Sequence, residues 1–67
     1  MDKEIKKIKE RIEELNKRME ELEEINQRLI SEGKQSEFDG KYGIEYENIS
    51  DELYMQRRKL QKLEKNN

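Results

Sequence analysis

Apolar side chains in the first half of the chain recur at the spacing of an amphipathic helix. They lie three or four residues apart, as in a heptad repeat whose first and fourth positions are apolar. These positions hold Ile5, Ile8, Ile12, Leu15, Met19, Leu22 and Leu29, with Asn26 at the one polar position. The residues between them are mostly Glu, Lys, Arg and Gln, which favour helices. The pattern predicts a helix over about residues 2–31.

The second half of the chain carries a similar but less regular pattern. Its apolar positions are Tyr46, Ile49, Leu53, Leu60 and Leu63, with Gln56 between them. Gly40 and Gly43 stand just before this run, and each costs a helix about 1 kcal/mol relative to Ala. A second helix therefore begins either near residue 37, after a tight turn, or only near residue 44, after a long loop.

The pairing of the two patterns places the turn. In an antiparallel hairpin the numbers of facing residues have a constant sum, and the pairs from Ile5 with Leu63 to Asn26 with Tyr42 share the sum 68. The midpoint falls beside Gly33, and glycine is the residue that most readily ends a helix in the left-handed conformation. We therefore favour the tight turn, over about residues 32–36.

Ser36 is then the expected N-cap of the second helix, with Glu37 in its first turn. That helix is expected over about residues 37–65. The sequence predicts an all-α protein, in which a single antiparallel two-helix hairpin, similar to a coiled coil, spans residues 1–67.

A hairpin of this size has little core of its own. Chains below about 70–80 residues usually need disulfides, a metal or association to be stable, and this chain has no Cys. We expect dimerisation into a four-helix bundle or docking on a partner protein. Asn26 either fixes the register of such a seam or lies near its fraying end, and Gln56 poses the same question at a more buried position.

Six apolar side chains are expected to crowd together at the turn end, partly outside the seam. We interpret them as a partner or self-association face, because contiguous exposed apolar surface marks interaction sites. They are Ile25, Leu29, Ile30, Phe38, Tyr42 and Ile44.

Charged residues are balanced in number but unevenly placed. The chain has 15 Lys or Arg and 17 Asp or Glu, for a net charge of −2. In a hairpin, acidic residues gather toward the turn and basic residues at the open end. The acidic candidates are Glu45, Glu47, Asp51 and Glu52, and the basic candidates are Lys6, Lys9, Arg57, Arg58 and Lys62.

Some of these charges flank the predicted seam. Arg18 and Glu52 are expected to face each other, as are the like-charged Lys9 and Arg57. Exposed pairs contribute at most about 1 kcal/mol. They therefore do not identify a partner.

The composition excludes several kinds of site. The chain has no His and no Cys, so the usual zinc sites and most general-base arrangements lack their side chains. We expect no catalytic residue, no metal and no cofactor. Balanced charge argues against a dedicated nucleic-acid or membrane-surface binder. No apolar run approaches the roughly 18 residues of a membrane-spanning helix, and a cytoplasmic location is expected.

One short segment resembles a known motif. Ser50-Asp51-Glu52-Leu53-Tyr54 is similar in place and pattern to the Ser-Gln-Glu-Leu-Asp motif of short helical hairpins that dephosphorylate aspartyl phosphate in sporulation signalling. Asp51 stands where that motif has Gln, and Tyr54 stands where it has the final Asp. If the final acid carries the activity of that family, this chain lacks it.

The function expected from these observations is non-catalytic protein binding by a small regulator, inhibitor or adaptor that acts through helical faces. A structural scaffold or assembly chaperone with coiled-coil contacts is one alternative, and weak nucleic-acid binding through the basic open end is another. A homodimer is the favoured oligomer. The Lys, Glu, Ile and Asn content suits a phage or mobile-element protein.

Overall fold

The computed structural model of the chain describes residues 2–65. Two α-helices, α1 (Asp2–Ser31) and α2 (Gln35–Lys65), are joined by residues 32–34. They run antiparallel and pack against each other along a rod that is 49 Å long and 15 Å wide. The predicted fold class, an all-α helical hairpin, is confirmed.

Gly33 ends α1 as its position in the sequence predicted. It has a φ of 75°, in the left-handed region. Its N–H donates to the carbonyl of Ile30 at 3.0 Å, and the N–H of Lys34 donates to the carbonyl of Leu29 at 2.7 Å. This pair of bonds is the Schellman motif, which satisfies carbonyls that the helix end would otherwise leave free.

The second helix begins earlier than expected. It starts at Gln35, and the carbonyl of Lys34 accepts a hydrogen bond from the N–H of Glu37 at 3.0 Å. Ser36 therefore lies in the first turn of α2, and the predicted N-cap at this residue is wrong. The left-handed Gly33 reverses the chain within three residues, so the helix restarts before Ser36 is reached.

Gly40 and Gly43 lie inside α2, which rules out a helix that begins only near residue 44. Aromatic packing on both sides of the glycines accounts for the continuity. The ring of Phe38 lies 5.6 Å from that of Tyr42 and 6.1 Å from that of Tyr46, measured between centroids. Such pairs add about 0.5–1.5 kcal/mol each to the burial of the rings, which offsets the low helix propensity of glycine.

The core is a narrow stripe between the two helices. Leu22 is the most enclosed side chain, with none of its surface exposed. The buried cluster comprises Leu15, Leu22, Phe38, Ile49 and Leu53, and Ile8 is buried nearer the open end. Ile12, Met19, Ile25, Leu29, Tyr42 and Tyr46 pack against the cluster and are half-buried. The heptad positions of α1 thus face α2, as the spacing predicted.

Asn26 and Gln56, the two polar seam residues, are both half-buried. Within residues 3–65, every buried side-chain nitrogen and oxygen atom has a hydrogen-bond partner. Neither residue therefore imposes an unsatisfied polar group on the core.

Candidate interaction surfaces

One long side of the hairpin is closed by two ion pairs between the helices. Arg11 donates from Nε and Nη2 to the carboxylate of Glu52 at 2.7 and 2.9 Å. Arg18 does the same to Glu45 at 2.6 and 3.0 Å. Both pairs have the two-point geometry that makes arginine–carboxylate contacts the strongest of their kind. We call these four residues the arginine flank.

The arginine flank changes the acidity of its carboxyl groups. The hydrogen bond from Arg18 holds the pKa of Glu45 below its usual range, and desolvation of the carboxylate opposes this shift only in part. The hydrogen bond from Arg11 lowers the pKa of Glu52 in the same way. Each arginine also contacts a carboxylate one turn along its own helix, Arg11 with Glu14 at 3.2 Å and Arg18 with Glu21 at 3.3 Å.

The flanking pairs expected from the sequence were wrong by seven residues, about two helical turns. Arg18 faces Glu45 rather than Glu52. Arg57 donates to the side-chain oxygen of Asn16 at 3.3 Å rather than facing Lys9. The residue numbers of two partners in the seam add up to 68. For partners on either side of the seam, the sum differs by five and is 63 or 73. The heptad pattern alone allows Arg18 to face either Glu45 or Glu52, and the structure selects Glu45.

The acidic end therefore divides into two pairs of residues. Glu45 and Glu52 are held by the arginine flank. Glu47 and Asp51 are exposed and point away from α1. Only the second pair offers its charge freely to another molecule.

The six apolar residues predicted at the turn end do not form one exposed face. Phe38 is buried, with 6 % of its surface exposed. Ile25, Leu29 and Tyr42 pack against the same core cluster. Ile30 and Ile44 remain exposed, at 48 % and 77 %. Phe38 is buried because Ile25 continues the row of α1 residues that holds Arg11 and Arg18, so an apolar pair follows the two ion pairs toward the turn.

The outer face of α2, which points away from α1, carries exposed apolar side chains. Ile44 and Met55 are eleven residues apart, so three turns of helix bring them to the same side. Tyr54 lies beside Met55, and these two side chains are 63 % and 59 % exposed. We define the outer face by its charged and apolar members: Ile44, Glu47, Asp51, Tyr54, Met55, Arg58, Lys62 and Lys65.

Basic side chains surround the apolar part of this face. The guanidinium carbon of Arg58 lies 5.8 Å from the centre of the Tyr54 ring, within the range of a cation–π contact. A shallow hollow of about 430 Å³ lies alongside. Its walls are Tyr54, Met55, Arg58, Lys59, Gln61, Lys62 and Lys65. The hollow combines an apolar floor with a positively charged rim.

The basic end predicted from the sequence is distributed over both helices. Lys6 and Lys9 are exposed on α1, where they line a hollow of about 410 Å³ with acidic neighbours. Arg57 is engaged by Asn16 across the seam. Arg58 and Lys62 belong to the outer face of α2. The five predicted basic residues therefore do not form one site, although Arg58 and Lys62 both line the hollow on α2.

The predicted four-helix bundle would require one long side of the hairpin to pack against a second hairpin. A bundle of two hairpins needs an apolar row along one such side. Among the described residues, the exposed large apolar side chains are Ile30, Ile44, Tyr54 and Met55. They are too few and too scattered to line either side, and three of them lie on the outer face of α2.

Two further kinds of site were sought in the described part of the chain. Within it, neither helix has an apolar stretch long enough to cross a membrane. The same residues contain no group of three His, Cys, Asp or Glu side chains arranged to hold a metal ion.

Comparison of the chain with protein families, with curated proteins and with solved structures finds no match. The five-residue resemblance to the sporulation hairpins therefore gains no support from a family match. In the structure, Leu53 of that segment is buried and Glu52 is paired with Arg11.

Proposed function

We propose that this chain is a non-catalytic protein-binding module that acts through the outer face of α2. Such a module would serve as a small regulator, inhibitor or adaptor. The hairpin core uses only one side of each helix, so the residues that pack it together do not explain the apolar side chains on the opposite side of α2.

The observation that carries the proposal is the exposure of Ile44, Tyr54 and Met55. Each has more than half of its surface in water, and all three occur on one face of one helix. Tyr is enriched at protein interfaces, and Met suits adaptable apolar contacts. Protein partners commonly bind a helix through apolar side chains that it presents on one face.

The charges around these apolar residues differ between the two ends of the face. Glu47 and Asp51 lie between Ile44 and Tyr54, whereas Arg58 and Lys62 follow Met55. A partner must therefore present basic groups to one half of the face and acidic groups to the other. Charge order of this kind selects orientation and suppresses wrong partners more than it raises affinity.

Site-specific photo-crosslinking tests the proposal in cells that express the chain. A benzophenone amino acid in place of Tyr54 is expected to give a covalent adduct with a protein. The matched control has the same amino acid in place of Lys17, which is exposed on the outward side of α1 among charged neighbours. Adducts at position 54 that are absent at position 17 support the proposal.

The opposite results are equally clear. A chain that folds, as judged by circular dichroism, and yields no protein adduct at position 54 contradicts the proposal. Equal adducts at both positions also contradict it, because they indicate contact without a preferred face. The mass of the adduct separates a second copy of the chain from a different protein.

The two alternative functions have their own signatures. A structural scaffold would assemble beyond a dimer. A nucleic-acid binder would lose affinity steeply with salt. A cytoplasmic location and a phage or mobile-element origin remain predictions from composition.

A further inference from the structure

We infer that the protein bound by the outer face of α2 is a second copy of this chain, packed antiparallel to the first. The inference rests on the proposed function, because it names the partner of the same face. It differs from the predicted four-helix bundle, since the contact joins the two α2 helices alone. The four helices then lie side by side in a flat row.

The order of charges along the outer face is complementary to itself. A two-fold axis that passes between Tyr54 and Met55 brings together residues whose numbers add up to 109. Asp51 then lies level with Arg58 of the second copy, and Glu47 lies level with its Lys62. Because the axis acts twice, each of these pairs forms on both sides of it.

The apolar side chains occupy the centre of the same arrangement. A two-fold axis perpendicular to both helices does not exchange the two long edges of the outer face, so each edge lies beside the same edge of the second copy. Tyr54 therefore lies beside Tyr54 of the second copy on one flank, and Met55 lies beside Met55 on the other. Apolar residues at the centre with charged residues outside are the usual anatomy of an interface.

Ile44 also finds a complement. The same two-fold relation places it level with Lys65 of the second copy, at the end of the hollow beside Tyr54 and Met55. The aliphatic stem of a lysine can cover an apolar side chain while its ammonium group stays in water. The isoleucine at this position, which is 77 % exposed in the single hairpin, is thus partly covered in the dimer.

A comparison with α1 shows that charge order alone does not select α2. Glu10 and Lys17 lie on the outward side of α1, in the same order and with the same seven-residue spacing as Asp51 and Arg58. The side of α1 around them presents only charged residues, Glu13 and Glu14 among them. Only α2 combines a self-complementary charge order with exposed apolar side chains.

Sedimentation equilibrium of the full chain tests this inference. The wild-type chain is expected to pass from 8.3 kDa to twice that mass as its concentration rises from about 1 µM to about 1 mM, which is the range of a small interface. Asp51→Arg and Arg58→Asp each turn two attractive pairs into two repulsive ones. Either substitution should weaken self-association about tenfold or more.

Mixing the two variants gives the sharpest result. In a mixed dimer, the two arginines of the Asp51→Arg chain face the two aspartates of the Arg58→Asp chain, so association should return. The double variant, with both substitutions in one chain, should also dimerise like the wild type. Recovery in both cases requires the antiparallel register with the sum 109.

The matched control reverses the corresponding pair on α1. Glu10→Lys and Lys17→Glu, alone or mixed, should leave the mass distribution of the wild type unchanged. Circular dichroism checks that every variant keeps its helix content. Substitutions on the outward side of either helix should not unfold it, because neither side contributes to the core.

Three results would overturn the inference. The first is a wild-type chain that stays at 8.3 kDa throughout. The second is a dimer that ignores the two α2 substitutions, and the third is assembly beyond two copies, since a two-fold contact closes on itself. In any of these cases, adducts between position 54 and a different protein would leave the proposed function standing, whereas the absence of any adduct at that position would end both.

Discussion

The two helices of this hairpin are similar in length but differ in what they leave exposed. α1 keeps its apolar residues on one side, and Ile30, next to the turn, is its one exposed large apolar side chain among the described residues, at 48 %. α2 contributes Phe38 and Leu53 to the core and carries a second apolar set on the side away from α1.

This difference separates the requirements of folding from those of binding. Contact with α2 accounts for the pattern of α1, because its buried residues among those described, Ile8, Leu15 and Leu22, all occupy heptad positions. The pattern of α2 is less regular in the sequence, because it includes exposed apolar residues on the side away from α1 as well as those of the seam. Under the proposed function, this second set of apolar residues is the binding surface.

The largest expected effect tests whether the inner and outer apolar residues truly differ. Leu22→Ala removes the most enclosed side chain, so the free energy of unfolding should fall by about 2–5 kcal/mol. Met55→Ala on the outer face should change it by no more than about 0.5 kcal/mol. Urea unfolding followed by circular dichroism, at a concentration where the chain is monomeric, measures both.

Similar losses for the two variants would show that Met55 is part of the core. That result would remove the distinction between the two faces of α2. A large loss for both Met55→Ala and Tyr54→Ala would contradict the proposed function as well, because the outer face would then be explained by stability.

A smaller effect concerns the glycines, two of which lie within α2 while Gly33 follows the end of α1. A Cβ atom at Gly33 or at Gly40 would meet no atom within 4 Å, so the two sites differ only in backbone conformation. Gly33→Ala places alanine in the left-handed region and should cost about 1–2 kcal/mol. Gly40→Ala lies within a helix and should stabilise the hairpin by up to about 1 kcal/mol.

Thermal unfolding of the two variants side by side provides the check. Opposite shifts of the melting temperature are expected. Destabilisation by Gly40→Ala would show instead that packing at this position requires the absence of a side chain. The residues assigned to the outer face of α2 would then have to be revised.

The smallest effect concerns the arginine flank, to which α1 supplies both cations and α2 both anions. The pKa of Glu45 and of Glu52 is lowered in the folded hairpin. Carboxylates of this kind stabilise the fold above their unfolded pKa of about 4.3, and the stabilisation is lost as the pH falls through the folded pKa. Glu45→Gln combined with Glu52→Gln should therefore lower the melting temperature at pH 7 but not at pH 2.

Glu13→Gln combined with Glu20→Gln is the control, since neither residue forms an ion pair within residues 3–65. Its melting temperature should differ from that of the wild type by the same small amount at both pH values. A pH-independent effect of the flank substitutions would mean that their carboxylates act through packing rather than charge.

The sequence was sufficient for the fold and the turn because both depend on local or repeating features. The heptads of α1 identified Leu15 and Leu22 as core residues, and Gly33 marked the reversal of the chain. The start of α2 was misplaced by two residues because Ser36 has the chemistry of a cap. The turn is so short that α2 begins before Ser36, and this residue therefore does not act as the N-cap.

The surfaces were harder to predict, since they depend on how far each side chain lies from the seam. Phe38 was assigned to a partner face because its position is next to the seam rather than in it. The structure buries it because the opposite helix offers Ile25 at the same level. Glu45 was given no partner and Glu52 was matched with Arg18, whereas the structure pairs Glu45 with Arg18 and Glu52 with Arg11.

The aromatic cluster near the turn also bears on how the chain finds its structure. Bringing Phe38 to Leu22 closes a loop of 16 residues, whereas bringing Leu53 to Leu15 closes a loop of 38. The entropy lost on closing a loop grows with the logarithm of its length, which makes the first contact about 0.8 kcal/mol less costly. The aromatic cluster thus lies where contact between the two helices costs the least loop entropy. Contacts between the helices can then form in order from the turn to the open end.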